Sequence, residues 1–165
     1  MKKNIKDYPR QNALKYLITD KDNEYYKFHI ANNFGASSSI LKLHEHKELW
    51  PEVTFKENIL LKSITLTTLC RKENINMNLY DGLILDTQGS ELMVLKGTIP
   101  LLHIFKYIKV EVPDFESYKG CCKTDELGKF LLDYNFKEVS RYKFACKKKV
   151  GNYYDIIYKH NQAPI

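Results

Sequence analysis

Short apolar runs separated by polar turns recur along the chain, and most of them predict strands. They occupy positions 13–18, 25–30, 59–66, 81–85 and 107–112. Runs of roughly four to eight residues rich in Ile, Leu, Val and Tyr are typical of strands, because helices need longer periodic segments. The turn residues at 20–23 predict that the first two strands surround a tight reversal.

Three other segments carry the spacing of helices. The longest has an apolar face made by Leu92, Leu95, Ile99 and Leu102. These residues follow one another at helical intervals, and Pro100 predicts a kink or an end within the helix. A second helix is expected at 124–134, where apolar residues recur one turn apart, and a short one at 68–73.

The carboxy-terminal part of the chain returns to strand periodicity. Alternating residues at 136–144 and 153–158 predict an antiparallel hairpin around the turn Gly151-Asn152. The resulting order of strands, helices and hairpin predicts an α/β fold with one open sheet and an antiparallel end.

The polar stretch at 32–39, NNFGASSS, predicts a long loop in the amino-terminal half. Such a loop beside a sheet often contacts a substrate, but plain surface variation explains it equally well. An irregular helical turn at 41–50 is expected to follow it and to end at Pro51.

Length and composition indicate one globular domain. The chain has 165 residues with 44% hydrophobic and 28% charged residues, which is enough to bury one core. A net charge of +6 invites a nucleic-acid partner, yet the lysines are scattered and only Lys147, Lys148 and Lys149 form a run. That distribution argues against a phosphate-binding track, so no nucleic-acid partner is expected.

Cysteine spacing and the absence of long apolar segments narrow the class of protein further. Cys70, Cys121, Cys122 and Cys146 have neither zinc-site nor disulfide-ladder spacing, so reduced thiols and no metal are expected. No stretch approaches the roughly 18 apolar residues of a membrane-spanning helix. We therefore expect a soluble, cytoplasmic protein with no membrane contact.

Polar residues follow the two most apolar strands, where an open α/β sheet binds its ligands. They are Asp86, Gln88, Glu91, Glu111 and Asp114. Carboxylates in such places can hold hydroxyl groups, a metal ion or a proton. A carboxylate before a helix is equally common as a helix cap, and the pattern alone leaves both interpretations open.

The segment 81–97, DGLILDTQGSELMVLKG, resembles the pattern I-D-x-Q/E-G-A/S-E-x-x-V-L-K-G of FkbM methyltransferases. Further blocks resemble the family in the same order, namely LITDKDNEYYKF, GASSS, YIKVEV and NYYDIIY, so the resemblance spans about 13–158. Where the family has T-L-D-D, this chain has Thr65-Leu66-Thr67-Thr68, without the two acidic groups.

The resemblance implies a class I methyltransferase that transfers a methyl group from S-adenosylmethionine to a hydroxyl of a small molecule, such as a sugar. It implies that Asp86 lies near the acceptor or the transferred methyl group, with Gln88 and Glu91 shaping this catalytic site. Implied substrate-binding residues are Ser38, Ser39 and Glu111, whereas no cofactor-binding residue is identified.

The family's glycine-rich cofactor turn, D-x-G-A-N-x-G, has no counterpart, because none of the seven glycines forms G-x-G. The resemblance therefore implies a Rossmann-like class I methyltransferase sheet that lacks its first βαβ unit and ends in an antiparallel hairpin. Residues 1–12 would be a polar remnant, 13–160 a partial FkbM-type domain and 161–165 a tail.

A missing unit would leave strand edges open in the family's sheet order, 3-2-1-4-5-7-6. We expect the strand at 25–30 to pair directly with 83–86, or with a segment from a complementing chain or homodimer. The alternative to an enzyme is a non-catalytic remnant that serves as a binding or interaction module.

Overall fold

The computed structural model describes residues 7–8 and 11–161 and has a mixed α/β fold with two sheets. Most of the expected amino-terminal remnant, 1–12, and tail, 161–165, lies outside the described residues. The structure thus has two sheets where the apolar pattern predicts one.

The first sheet has three strands: β1 (Leu17–Ile18), β2 (Tyr25–Ala31) and β3 (Phe55–Ile64). β3 lies in the middle, parallel to β1 and antiparallel to β2. The predicted reversal between the first two strands is confirmed, because β1 and β2 run in opposite directions on the two sides of β3. Direct pairing of β2 with the strand at 82–85 is wrong, because β2 pairs along its whole length with β3 and the strand at 82–85 belongs to the other sheet.

The second sheet has four strands: β4 (Gly82–Leu85), β5 (Tyr107–Pro113), β6 (Phe136–Lys147) and β7 (Gly151–His160). Their order is β4-β5-β7-β6, with β4 parallel to β5 and the other neighbours antiparallel. The predicted terminal hairpin is confirmed, but its turn lies at 148–150, so Gly151 and Asn152 already belong to β7.

Four α-helices connect the strands: α1 (His46–Leu49), α2 (Leu66–Lys72), α3 (Glu91–Thr98) and α4 (Thr124–Asp133). At Ile99 the chain leaves α3 for a 3-10 helix, Ile99–Ile104, with Pro100 in its first turn, as the sequence predicts. A second 3-10 helix is Met77–Leu79. None of the helices in the described part is long and apolar enough to cross a membrane.

The core lies on one face of the second sheet. Ile108, Val110 and Val112 alternate along β5 and are fully buried, and Leu127 and Leu131 of α4 are buried in the same cluster. Each such side chain stabilises the fold by roughly 1.5–3 kcal/mol relative to exposure. The alternation turns the intervening residues of β5 to the opposite, less covered face.

That less covered face carries Glu111, which therefore points away from the core. On β4, Ile84 pairs with Lys109 of β5, shares this face and is 74% exposed. β4 pairs with β5 alone, so its other edge has no strand neighbour among the described residues.

Candidate functional site

A polar pocket of about 270 Å³ lies beyond the carboxyl ends of β4 and β5. Its lining includes Asp86, Gln88 and Glu111, residues of the 32–39 loop and residues of the segment around α1. We call it the strand-end pocket. Its position follows from the parallel pairing of β4 and β5, which brings both carboxyl ends to one edge of the sheet.

A tight turn after β4 sets the direction of these side chains. Gln88 and Gly89 both have positive φ, 54° and 100°. A Cβ on Gly89 would lie 3.1 Å from side-chain atoms of Tyr118 and Cys121, so glycine suits both the backbone and the close contact. The turn delivers the chain into α3 and leaves Asp86 and Gln88 at the pocket.

Gln88 connects the carboxylates of the pocket. Its Nε2 donates to Asp86 Oδ1 at 2.6 Å and lies 3.4 Å from Glu111 Oε1. The hydroxyl of Tyr118 donates to Gln88 Oε1 at 2.8 Å, which fixes the orientation of the amide. The structure thus brings together three of the predicted residues, and Tyr118 orients them.

The pKa of Glu111 is raised to about 7, first by burial and then by the negative charge of Asp86. The hydrogen bond from Gln88 acts in the opposite direction and stabilises the ionised form. A carboxyl group with a pKa close to neutrality can both take and release a proton under ordinary conditions.

Glu91, a predicted catalytic residue, lies behind the pocket and holds the turn. It is 2% exposed, and its Oε1 accepts hydrogen bonds from Thr87 N at 2.8 Å and Gly89 N at 3.1 Å. Burial raises its pKa, and its Oε2 has no hydrogen-bond partner. Its contacts are those of a residue that supports the start of α3.

The predicted substrate residues Ser38 and Ser39 anchor their loop. Ser38 Oγ accepts a hydrogen bond from Ala31 N at 3.0 Å, and Ser39 Oγ donates to the carbonyl of Gln88 at 2.7 Å. Their neighbour Ser37 lines the strand-end pocket. The serine loop therefore reaches the site, although a different serine faces it.

Asp114, the remaining strand-end carboxylate, binds β7. Its Oδ1 accepts from Asn152 N and its Oδ2 from Asn152 Nδ2, both at 2.7 Å. These two bonds fix the start of β7 against the end of β5, and Asp114 does not line the strand-end pocket.

Aromatic residues and one histidine complete the pocket, and the sequence patterns did not indicate them. His46 is 2% exposed, with ring centroids 4.7 Å from Trp50 and 5.1 Å from Tyr118. Burial lowers its pKa to about 4, and its Nδ1 has no hydrogen-bond partner. The four-residue spacing of His46 and Trp50 places them one helical turn apart and was the available signal.

The sequence motif of a nucleotide-cofactor cradle has no counterpart in this chain. A glycine-rich turn is absent from the sequence, and the edge of β4 next to which it would lie has no strand neighbour in the described part. Beside that edge lies an apolar groove of about 460 Å³, lined by Leu14, Leu83 and Phe105 among others. Nor do three or more His, Cys, Asp or Glu residues of the described ranges gather as a metal site.

Comparison with known proteins identifies a family. The family model of the methyltransferase FkbM domain matches residues 2–138, which is well over half of the chain. No curated protein and no solved structure matches the chain. The matched range includes the strand-end pocket residues Asp86, Gln88 and Glu111. The chain therefore belongs to the FkbM methyltransferase domain family.

Proposed function

We propose that this chain forms the acceptor side of a methyl-transfer site, at which a hydroxyl of a small polyhydroxylated molecule, such as a sugar, receives a methyl group from S-adenosylmethionine. Family membership supports methyl transfer in general. The observation that carries the acceptor assignment is the pair of carboxylates, Asp86 and Glu111, bridged by Gln88 in the strand-end pocket.

In this proposal the acceptor hydroxyl donates a hydrogen bond to Glu111, which takes the proton as the oxygen becomes nucleophilic. The pKa of Glu111, about 7, matches such a proton acceptor. Asp86 receives a second hydroxyl, and Gln88 holds both carboxylates at a fixed separation. Such positioning contributes to rate because the acceptor oxygen approaches in one orientation.

The donor side requires a further segment in the proposal. The glycine-rich turn that would hold S-adenosylmethionine has no counterpart in the sequence of this chain. We propose that a βαβ segment, from a longer form of this chain or from a separate polypeptide, pairs with the open edge of β4. The sheet would then be Rossmann-like, with β4-β5-β7-β6 as one half. The 74% exposed Ile84 and the apolar groove support this completion.

A non-catalytic binding module is the second candidate. It is favoured by the same lack of a cofactor cradle, because the strand-end pocket is complete without the donor side. In that case the pocket would bind a hydroxylated ligand without turnover.

Two measurements test the proposal. Calorimetric titration of the 165-residue chain with S-adenosylmethionine is expected to give no binding heat, and a strong signal would contradict the need for a further segment. A fusion that adds a βαβ segment carrying D-x-G-A-N-x-G ahead of residue 11 is then expected to transfer labelled methyl groups to a panel of polyols. Transfer that is equally fast in the Asp86→Asn and Glu111→Gln fusions would contradict the acceptor site. A fusion that binds S-adenosylmethionine without any transfer would favour the binding module.

A further inference from the structure

The strand-end pocket is acidic in a chain whose net charge is +6. Its acidic lining residues are Glu52, Asp86 and Glu111, and no lysine or arginine of the described ranges lines it. The pocket therefore departs from the average charge of the molecule, and its local field attracts cations.

Nearby cations do not neutralise these carboxylates. Lys109 Nζ lies 3.0 Å from Asp155 Oδ2, and Lys147 Nζ lies 3.1 Å from Glu48 Oε2. Among the described residues, neither Glu52, Asp86 nor Glu111 forms an ion pair. The negative charge of the pocket is thus available to a ligand.

Aromatic rings line the same pocket as the carboxylates. The ring of Tyr153 lies edge-on to Trp50 at 5.4 Å and 5.7 Å from Phe144, all three at the pocket. Aromatic faces attract alkylammonium groups through their negative quadrupole and also contact the C–H face of a sugar. Carboxylates and aromatic rings in one pocket are a combination that suits an ammonium group on an organic frame.

His46 is a second, independent sign of a ligand. This residue is 98% removed from solvent and lines the pocket, yet its Nδ1 has no hydrogen-bond partner among the described residues. Buried polar atoms of folded proteins are usually hydrogen-bonded. The Nδ1 of an imidazole held neutral by burial can donate or accept one hydrogen bond, depending on the tautomer, without adding positive charge to the pocket.

From this arrangement we infer that the strand-end pocket selects a hydroxyl acceptor that carries an amine or quaternary ammonium group, such as an amino sugar or an amino alcohol, and rejects anionic acceptors. The inference rests on the proposed function in one respect, namely that the ligand of the pocket is a methyl acceptor. The charge selection follows from three carboxylates that form no ion pair among the described residues, and from the aromatic residues beside them. It also follows from the lack of lysine and arginine among the described lining residues.

Matched pairs of small probes test the charge preference on the 165-residue chain. Glucosamine and N-acetylglucosamine form one pair, and choline with its neutral isostere 3,3-dimethylbutanol forms the other. Binding is measured by calorimetry or NMR at millimolar concentrations. We expect the cationic member of at least one pair to bind roughly tenfold or more tightly than its neutral partner. Glucuronic acid is expected not to bind. Equal affinities within both pairs, or no binding by any of the probes, would overturn the inference.

A matched pair of variants locates the effect. Glu52→Gln removes a pocket carboxylate that has no part in the proposed proton transfer, and it is expected to reduce the cationic preference severalfold. Glu57→Gln, an exposed carboxylate on β3, is the control and is expected to leave binding unchanged. An equal effect of the two substitutions would contradict recognition within the pocket.

Three further outcomes separate this inference from the proposed function. S-adenosylmethionine is itself a cation, so displacement of glucosamine by it, but not by neutral S-adenosylhomocysteine, would assign the pocket to the methyl donor and overturn the inference. In the fusion, equal methylation of neutral and cationic acceptors would remove the charge selection and leave the proposed function standing. Tight cation binding without methyl transfer would leave the charge selection standing and contradict the proposed function.

Discussion

Gln88 determines how the two carboxylates of the pocket share their charge. Among the described residues, it alone contacts both Asp86 and Glu111 through an N–H donor. Gln88→Glu would replace this donor by a further carboxylate, so we expect the pKa of Glu111 to rise above about 7. The midpoint is measured by NMR titration of the Glu111 carboxyl carbon. Gln11→Glu, an exposed position outside the pocket, is the control. An unchanged midpoint in the Gln88 variant would show that the bridge has no electrostatic role.

Glu111 also makes the stability of the fold depend on pH. Its pKa is raised from 4.5 to about 7 in the folded chain, so the folded state holds its proton more tightly than the unfolded state does. Its contribution is therefore fully present below about pH 4.5 and is lost as the pH rises to about 7.

Glu111→Gln removes this dependence. Relative to the variant, the wild-type chain should lose stability steadily as the pH rises from about 4.5 to about 7. Above that pH the difference in stability between the two proteins should stay constant. Urea unfolding of both proteins across the range measures the difference. Parallel curves for the two proteins would contradict the raised pKa.

At the scale of elements, the start of α3 depends on Glu91. Its carboxylate accepts hydrogen bonds from Thr87 and Gly89, and Glu91→Ala would leave buried N–H groups without acceptors. We expect a loss of about 2–3 kcal/mol. Glu91→Gln keeps an amide oxygen in the same place, so its loss should not exceed about 1 kcal/mol.

Urea unfolding separates a supporting role of Glu91 from a catalytic one. Glu126→Ala changes an exposed residue in the first turn of α4 and should stay within about 0.5 kcal/mol of the wild type. If Glu91→Ala is as stable as this control, the turn does not depend on the buried carboxylate. That result would favour the catalytic role of Glu91 that the sequence predicts.

Local patterns predicted the elements better than their pairing. The alternation along β5 and the β6–β7 hairpin could be read from the sequence because both depend on neighbouring residues. The pairing of β2 with β3 could not be read in this way, because β3 begins at Phe55, four residues before the start of the apolar run at 59–66. Strand pairing depends on contacts that local periodicity does not encode.

The same distinction applies to the pocket. Asp86, Gln88 and Glu111 could be predicted because the ends of neighbouring parallel strands meet. Tyr118 lies 30 positions from Gln88 in a segment without periodicity, so only the folded chain reveals its contact. Glu91 carried a catalytic prediction from the motif, but a residue in the first helical turn can also fold back on the preceding backbone, as it does here.

At the scale of the whole molecule, the proposed βαβ segment would pair with the edge of β4 that has no strand neighbour in the described part of the chain. Ile84 lies on β4 with 74% of its surface exposed. If a βαβ segment completes the sheet, Ile84 becomes buried beneath it. The loss in the free energy of unfolding on substitution of Ile84 should then depend on whether that segment is present.

Ile84→Lys tests this dependence in two proteins. In the 165-residue chain the substitution should change the free energy of unfolding by no more than about 0.5 kcal/mol, because the side chain is already in water. In the fusion that supplies the βαβ segment, it should cost about 2–3 kcal/mol through lost apolar burial and a buried charge. Leu60→Lys on β3, 68% exposed and in the other sheet, is the control and should behave alike in both proteins. An Ile84 variant that is equally tolerated in the fusion would mean that the added segment does not pack on β4. The donor side of the site would then have to be built elsewhere.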